Sequence, residues 1–255
     1  MGLAMARGWI AGGLPPDQLV LIDPKPQAVT EAFVAEHGLR LLDSPIGIFT
    51  HVMVMAVKPQ IMAEVMAEVQ PAVGAQTLVL SIAAGIPLRA LSEGLQTERI
   101  VRAMPNTPAQ VGKGISGAVA YDITATDRKV ANALLGAAGE VIWFESEDKL
   151  DAVTAVSGSG PAYVFYMVEA LALAGINQGL EPGQAMQLAR QTVIGAAALM
   201  EADLAPASVL RENVTSPKGT TFEALQVLMA ADGLEPLLDK AVTAARRRSE
   251  ELGRG

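Results

Sequence analysis

A chain of 255 residues, 51% of them hydrophobic, carries enough apolar material for one large domain or two ordinary ones, and its net charge of −8 excludes a surface built to bind phosphate backbones. It has no cysteine, which excludes disulfides, thiolate metal centres and a cysteine nucleophile. Aromatic residues make up only 4%, so the core must be assembled from Ala, Val, Leu, Ile and Met, which suits helices packed closely on a buried parallel sheet.

The opening MGLAMARGWIAGGL lacks a charged leader ahead of its apolar part and is interrupted by Arg7, so an amphipathic helix is expected rather than a secretory leader. Residues 19–22 (LVLI) read as a strand, followed by Pro24, Pro26 and a helical stretch over 27–37. Further strands are expected at 52–57 (VMVMAV), 78–82 (LVLSI), 100–104, 119–121 and 141–144, with helices over 60–69 and 126–138. Strands apolar on both faces and alternating with helices predict an α/β, doubly wound, Rossmann-like parallel sheet. From Asp148 onward no strand is evident. In 184–202 the residues Met186, Ala189, Val193, Ala196, Ala197 and Met200 recur at helical steps. Two domains are therefore expected, 1–146 for nucleotide binding and 147–255 all-helical. No apolar run is read as reaching the roughly 18 residues of a membrane helix, and the cytoplasm is the expected compartment. His37 and His51 stand alone, so no metal site is expected. The basic run Arg246, Arg247, Arg248 reads as a solvated helix end.

Ligands of an open α/β sheet lie beyond the carboxyl ends of its strands. Asp23 follows the first strand and can accept from an adenosine ribose, while Lys25 suits a 2′-phosphate; the two leave NAD and NADP open, and Asp23-Pro24-Lys25-Pro26 also reads as a plain turn. Ala56, Val57, Lys58 and Pro59 close the next strand and Ile82, Ala83 and Ala84 the one after, with small residues that let a flat ligand approach the backbone. A dinucleotide fold opens with a strand and G-x-G-x-x-G. Gly2 fits the third glycine, since Asp23 lies 21 residues on (23 − 2), near the expected spacing of about 20. On this reading the first strand and first two glycines are missing, and their loss from mid-sheet should leave unpaired backbone groups and an exposed apolar strip.

Three segments carry a more specific pattern. VRAMPNTP (101–108) ends a sheet strand, SGSGPAY (157–163) opens or interrupts a helix, and VTSPKGTT (214–221) precedes another. In this order, with AVKPQ (56–60) upstream, they resemble pyrroline-5-carboxylate reductase over nearly the whole chain. The resemblance implies a cytoplasmic enzyme of proline biosynthesis that reduces a cyclic imino acid with NADPH or NADH, working as a homodimer or an assembly of dimers, with no nucleic acid or membrane partner. It implies that Met104 and Asn106 line the nicotinamide. The helix starts at Ser159, Gly160 and at Ser216, Gly219, Thr220, Thr221 would hold the substrate carboxylate, with the Thr221 hydroxyl at the ring nitrogen as the catalytic group. Ser159 and Thr220 also have a plainer reading as caps, Thr220 pairing with Glu223 in a capping box. Two departures from the family pattern stand out: Lys218 replaces a usual second glycine, and Asp43-Ser44-Pro45 lacks a usual asparagine. The related β-hydroxyacid dehydrogenases use a lysine of the second domain as acid/base, and no lysine occurs between Lys149 and Lys218. A non-catalytic NAD(P)-binding scaffold is the other alternative, supported by the missing strand.

Overall fold

A computed structural model of the chain describes residues 1–253. They fall into two compact units, one formed by Met1–Ser159 together with the chain from Ala245 on, the other by Gly160–Ala244.

The first unit runs α1 (Gly2–Ala11), β1 (Val20–Ile22), α2 (Ala28–His37), β2 (Arg40–Leu42), β3 (Val52–Met55), α3 (Met62–Val69), β4 (Leu78–Ser81), α4 (Leu88–Leu95), β5 (Ile100–Pro105), β6 (Gly114–Tyr121), α5 (Ala125–Gly136), β7 (Gly139–Trp143) and α6 (Lys149–Val153), which continues into a π turn over Thr154–Gly158. The amphipathic reading of the opening segment becomes α1, which buries Met5, Ala6 and Trp9. β3, β4 and β5 are parallel, and every residue of β4 is buried. Helices cover both faces: Leu78, Leu80, Val101 and Ala103 join one core with α1 and α5, and Met53, Met55, Val79 and Ile100 another with α3 and α4.

Two features depart from a uniform parallel sheet. β6 runs antiparallel to β5. The residues joining them hold only the 3-10 turn Thr107–Val111, and a parallel return needs a crossover of a dozen residues or more. α5 then supplies such a crossover, and β7 is parallel to β6. The strands also form two sheets rather than one: β1 and β2 pair with each other, and β3 to β7 form the second. Among the described residues no strand hydrogen-bonds β1 to β3. The apolar strip is partly covered rather than bare, because Leu21, Val52 and Val54 pack against the core that contains α1.

Local chemistry sets the element ends. Gly38, at φ +63°, closes α2 in the left-handed region that glycine reaches without cost. Thr124 and Asp127 form the capping box of α5. Asp127 also receives a two-pronged ion pair from Arg99, at 2.6 and 2.9 Å, tying the start of β5 to α5. The two tryptophans both belong to this unit. Trp9 donates to the Leu134 carbonyl at 2.8 Å, and Trp143 donates to Asn132 beneath the Arg128 guanidinium.

The second unit is entirely helical: α7 (Gly160–Asn177), α8 (Pro182–Ala202), α9 (Ala207–Asn213), α10 (Thr220–Leu228) and the larger part of α11 (Leu234–Leu252). α7 and α8 meet through Ala172, Ala185 and Ala189. A side chain on Gly175 would press on Leu180 and Ala185 at 3.2–3.3 Å, so the glycine eases this approach. Elsewhere the apolar surface of the unit is uncovered: Phe165 is 65% exposed, Tyr166 70% and Leu188 56%. By length and composition alone the stretch Lys149–Asn177 is apolar enough to cross a membrane, a test that the core helix of a soluble protein also passes.

Candidate active site

The nucleotide-site residues expected from sequence lie at the carboxyl ends of β1, β3, β4 and β5 in the first unit. Beyond β1, the Asp23 backbone N–H donates to the Leu42 carbonyl, and its carboxylate accepts the Lys25 backbone N–H at 2.9 Å. The plain-turn reading and the binding reading are thus compatible: one carboxylate oxygen shapes the turn, and the Lys25 side chain stays exposed.

Gly2 shows why the first helix begins as it does. A Cβ on Gly2 would stand 2.8 Å from the Ala56 Cβ, so the start of α1 lies directly against the end of β3. This is the close helix–strand approach that the third glycine of a dinucleotide fingerprint permits, and it leaves the N-terminus of α1 beside Ala56. Pro59 opens the 3-10 turn Pro59–Ile61. Past β4, Ile82 and Ala83 are buried and Ala84 is half-buried. The N–H groups of Ala83, Ala84 and Gly85 donate to no backbone acceptor among the described residues, so they can serve a ligand's oxygens. These residues fit a dinucleotide: a glycine-tight helix start, a small-residue loop with undirected donors and an acidic residue beyond β1.

At the end of β5, Asn106 is only 8% exposed, and its side-chain carbonyl accepts the Ile115 N–H at 3.0 Å. With the oxygen turned into β6, the amide NH₂ is the group left to face a ligand. Met104, two residues earlier, touches the π turn: a Cβ on Gly158 would meet its Cε at 2.9 Å. In that turn Ser157 donates to the Val153 carbonyl and Thr154 to the Leu150 carbonyl. Ser159 follows, its N–H bonded to the Thr154 carbonyl, and Gly160 is the first residue of α7.

In the second unit, Ser216, Gly219, Thr220 and Thr221 are brought together at the start of α10. The Gly219 N–H closes a turn on the Ser216 carbonyl at 3.0 Å, and a side chain on Gly219 would lie 3.0 Å from that same oxygen. Gly219 is the N-cap and Thr220 the first helical residue, with no side-chain cap bond. The capping box expected from Thr220 and Glu223 therefore does not form, because Thr220 sits one position too far into the helix to reach back. Thr220 and Thr221 are exposed in the single chain and make no side-chain hydrogen bond among the described residues. Lys218 adopts φ +58°, the left-handed region, where a Cβ is unfavourable.

Sequence reasoning missed one cluster. Glu147 Oε1 accepts both the Leu88 backbone N–H, at 2.7 Å, and Arg102 Nη1, at 2.5 Å. Arg102 is 9% exposed on β5, in register with Ser81 of β4. This carboxylate fixes the first turn of α4 and hence the far end of the loop after β4. Separations of 45 and 59 residues hide it from any local pattern.

The chain resembles known proteins along nearly its whole length. Residues 147–252 match the family model described as pyrroline-5-carboxylate reductase dimerisation. The chain is 39% identical over 257 residues to a pyrroline-5-carboxylate reductase of Pseudomonas aeruginosa, covering 99% of this chain and 93% of that protein. Among solved structures it resembles a pyrroline-5-carboxylate reductase from Coxiella burnetii, with TM-score 0.91, 34% identity and coverage of 98% and 94%. It also resembles the Plasmodium falciparum pyrroline carboxylate reductase with NADP bound, with TM-score 0.82, 29% identity and coverage of 99% and 94%. Identity at this level, sustained from the start of α1 to the end of α11, places the chain in the pyrroline-5-carboxylate reductase family.

Proposed function

We propose that this protein reduces 1-pyrroline-5-carboxylate to proline, the last step of proline biosynthesis, with NADPH or NADH as reductant. The observation that carries the reading is the likeness to curated reductases along the whole chain. Bound reduced nicotinamide supplies the hydride that the imine carbon accepts. The chain's own part is to hold both partners in register and keep water out.

On this reading Gly2, Asp23, Lys25, Ala56, Val57, Lys58, Pro59, Ile82, Ala83 and Ala84 bind the dinucleotide, and Met104 and Asn106 flank its nicotinamide. Residues 1–146 form the cofactor domain and 147–255 the substrate and dimerisation domain. Ser159, Gly160, Ser216, Gly219 and Thr220 cradle the substrate carboxylate, because helix starts present unpaired N–H groups to an anion. The Thr221 hydroxyl hydrogen-bonds the ring nitrogen and keeps it protonated as the hydride arrives. A second copy of the chain covers the apolar surface of α7 and α8, making a homodimer or an assembly of dimers, and the cytoplasm is the compartment.

The test is oxidation of NADPH and of NADH followed with pyrroline-5-carboxylate, alongside light scattering. Turnover is expected with at least one nucleotide, in a species of two chains or more. Thr221→Val is expected to lower kcat by about 10²-fold or more, the scale of lost proton assistance, while Thr221→Ser keeps most of it. Cofactor binding with no turnover of the cyclic imine would leave a binding protein instead, and a fully active monomer would remove the dimer.

A further inference from the structure

The last turn of α11 belongs to the first unit, and its contacts there are specific. Ser249 is the one buried residue of α11, at 8% exposure, and its hydroxyl donates to Asp151 Oδ1 of α6 at 2.6 Å. Three residues later the backbone reaches the loop after β4. A Cβ on Gly85 would stand 3.6 Å from the Leu252 carbonyl oxygen, and one on Gly253 would stand 3.5 Å from the Gly85 carbonyl oxygen. Two glycines therefore face each other with no side chain between. Gly85 is itself held at φ +75°.

The loop needs such support. The N–H groups from Ala83 to Gly85 make no backbone hydrogen bond among the described residues, so within the loop only the turn at Ala84–Gly85 constrains its shape. Its near end is tied into the sheet through Ile82 N–H and the Met55 carbonyl, and its far end is held by Glu147 at Leu88. The middle, at Gly85, meets Leu252 and Gly253 at the end of α11.

We propose that Ser249 is a positioning residue for cofactor binding: by anchoring the end of α11 to Asp151, it sets the Leu252–Gly253 backbone against Gly85 and so holds the loop Ile82 to Gly85 in the shape that takes the dinucleotide. The proposal rests on the nicotinamide-cofactor reading above and adds a residue far along the chain from the strand ends.

The experiment measures NADPH affinity by fluorescence titration, and steady-state constants, for wild type, Ser249→Ala, Ser249→Thr, Asp151→Ala and Asp151→Asn. Ser249→Ala and Asp151→Ala are expected to weaken NADPH binding and raise its KM about 3- to 10-fold, the scale of one lost hydrogen bond, with kcat and the KM for the imine unchanged. Ser249→Thr and Asp151→Asn retain a donor and an acceptor and are expected to stay near wild type. Amide hydrogen exchange at 83–86 is expected to quicken in Ser249→Ala, a readout that stands even if its thermal midpoint falls. Unchanged NADPH affinity with unchanged exchange at 83–86 overturns the proposal, as does a rise in the imine KM equal to that for NADPH. Failure of the wild type to bind NADPH or NADH overturns the underlying reading together with it.

Discussion

Asn106 and Ile115 are joined across the turn between β5 and β6, the Asn106 side-chain carbonyl accepting the Ile115 N–H at 3.0 Å. One side chain thus has a structural end and a free end. Asn106→Asp keeps the acceptor, loses the NH₂ and adds a negative charge, so the fold should persist while kcat falls, by about 10-fold or more if the amide contributes one transition-state hydrogen bond. Asn106→Ala strips the partner from a part-buried N–H and should cost about 1–3 kcal/mol of stability. Urea unfolding and steady-state kinetics separate the two, and an Asp variant as active as wild type would show that the NH₂ has no part in turnover.

Acid stability should depend on Asp127. The hydrogen bond from Arg99, helped by Thr124, holds its carboxyl at about 2 instead of 3.8. A carboxyl with a lowered folded pKa contributes stability above its unfolded value and loses it as pH falls through the folded one. The loss should therefore begin below about pH 4 and continue to pH 2, amounting to about 2 kcal/mol for this group. In Asp127→Asn the denaturation midpoint should be lower at pH 7 and flatter between pH 4 and 2. Parallel curves for the two proteins would refute the linkage.

Lys218 occupies a backbone conformation that costs an L-residue roughly 1–2 kcal/mol. Lys218→Gly should raise the thermal midpoint, with a net gain of about 0.5–1 kcal/mol after glycine's larger unfolded-state entropy is counted. Lys218→Val should lower it, since a β-branched side chain is least tolerant of positive φ. Differential scanning calorimetry at one fixed protein concentration checks both signs, and a Gly variant less stable than wild type would mean that the lysine side chain itself stabilises the loop.

The strands with apolar runs were legible in the sequence, β3 and β4 above all, because a short, densely apolar run bounded by turn residues suits a strand of a covered sheet. β2 was not, since Arg40–Leu42 is three residues long and its only announcement is Gly38 ahead of it. β6 begins five residues earlier than expected, at Gly114 rather than Val119. Glycines in that stretch read as loop, yet a side chain on Gly117 would strike Val153 at 2.8 Å, so the glycine is there to let α6 lie on the strand. At the site, the strand-end loops and the threonine pair before α10 were visible as motifs. Glu147 and Ser249 were not, because each acts through a partner distant in the chain, and only the fold brings donor and acceptor together.

The placement of the two tryptophans makes the protein's emission spectrum a partial witness. Trp9 and Trp143 both lie in the sheet-containing unit, and Gly160–Ala244 contains none. Loosening of the helical unit would therefore pass unseen at tryptophan wavelengths while far-ultraviolet dichroism recorded it. Where the two signals part company during denaturation, the gap between them is the stability difference between the two halves of the chain.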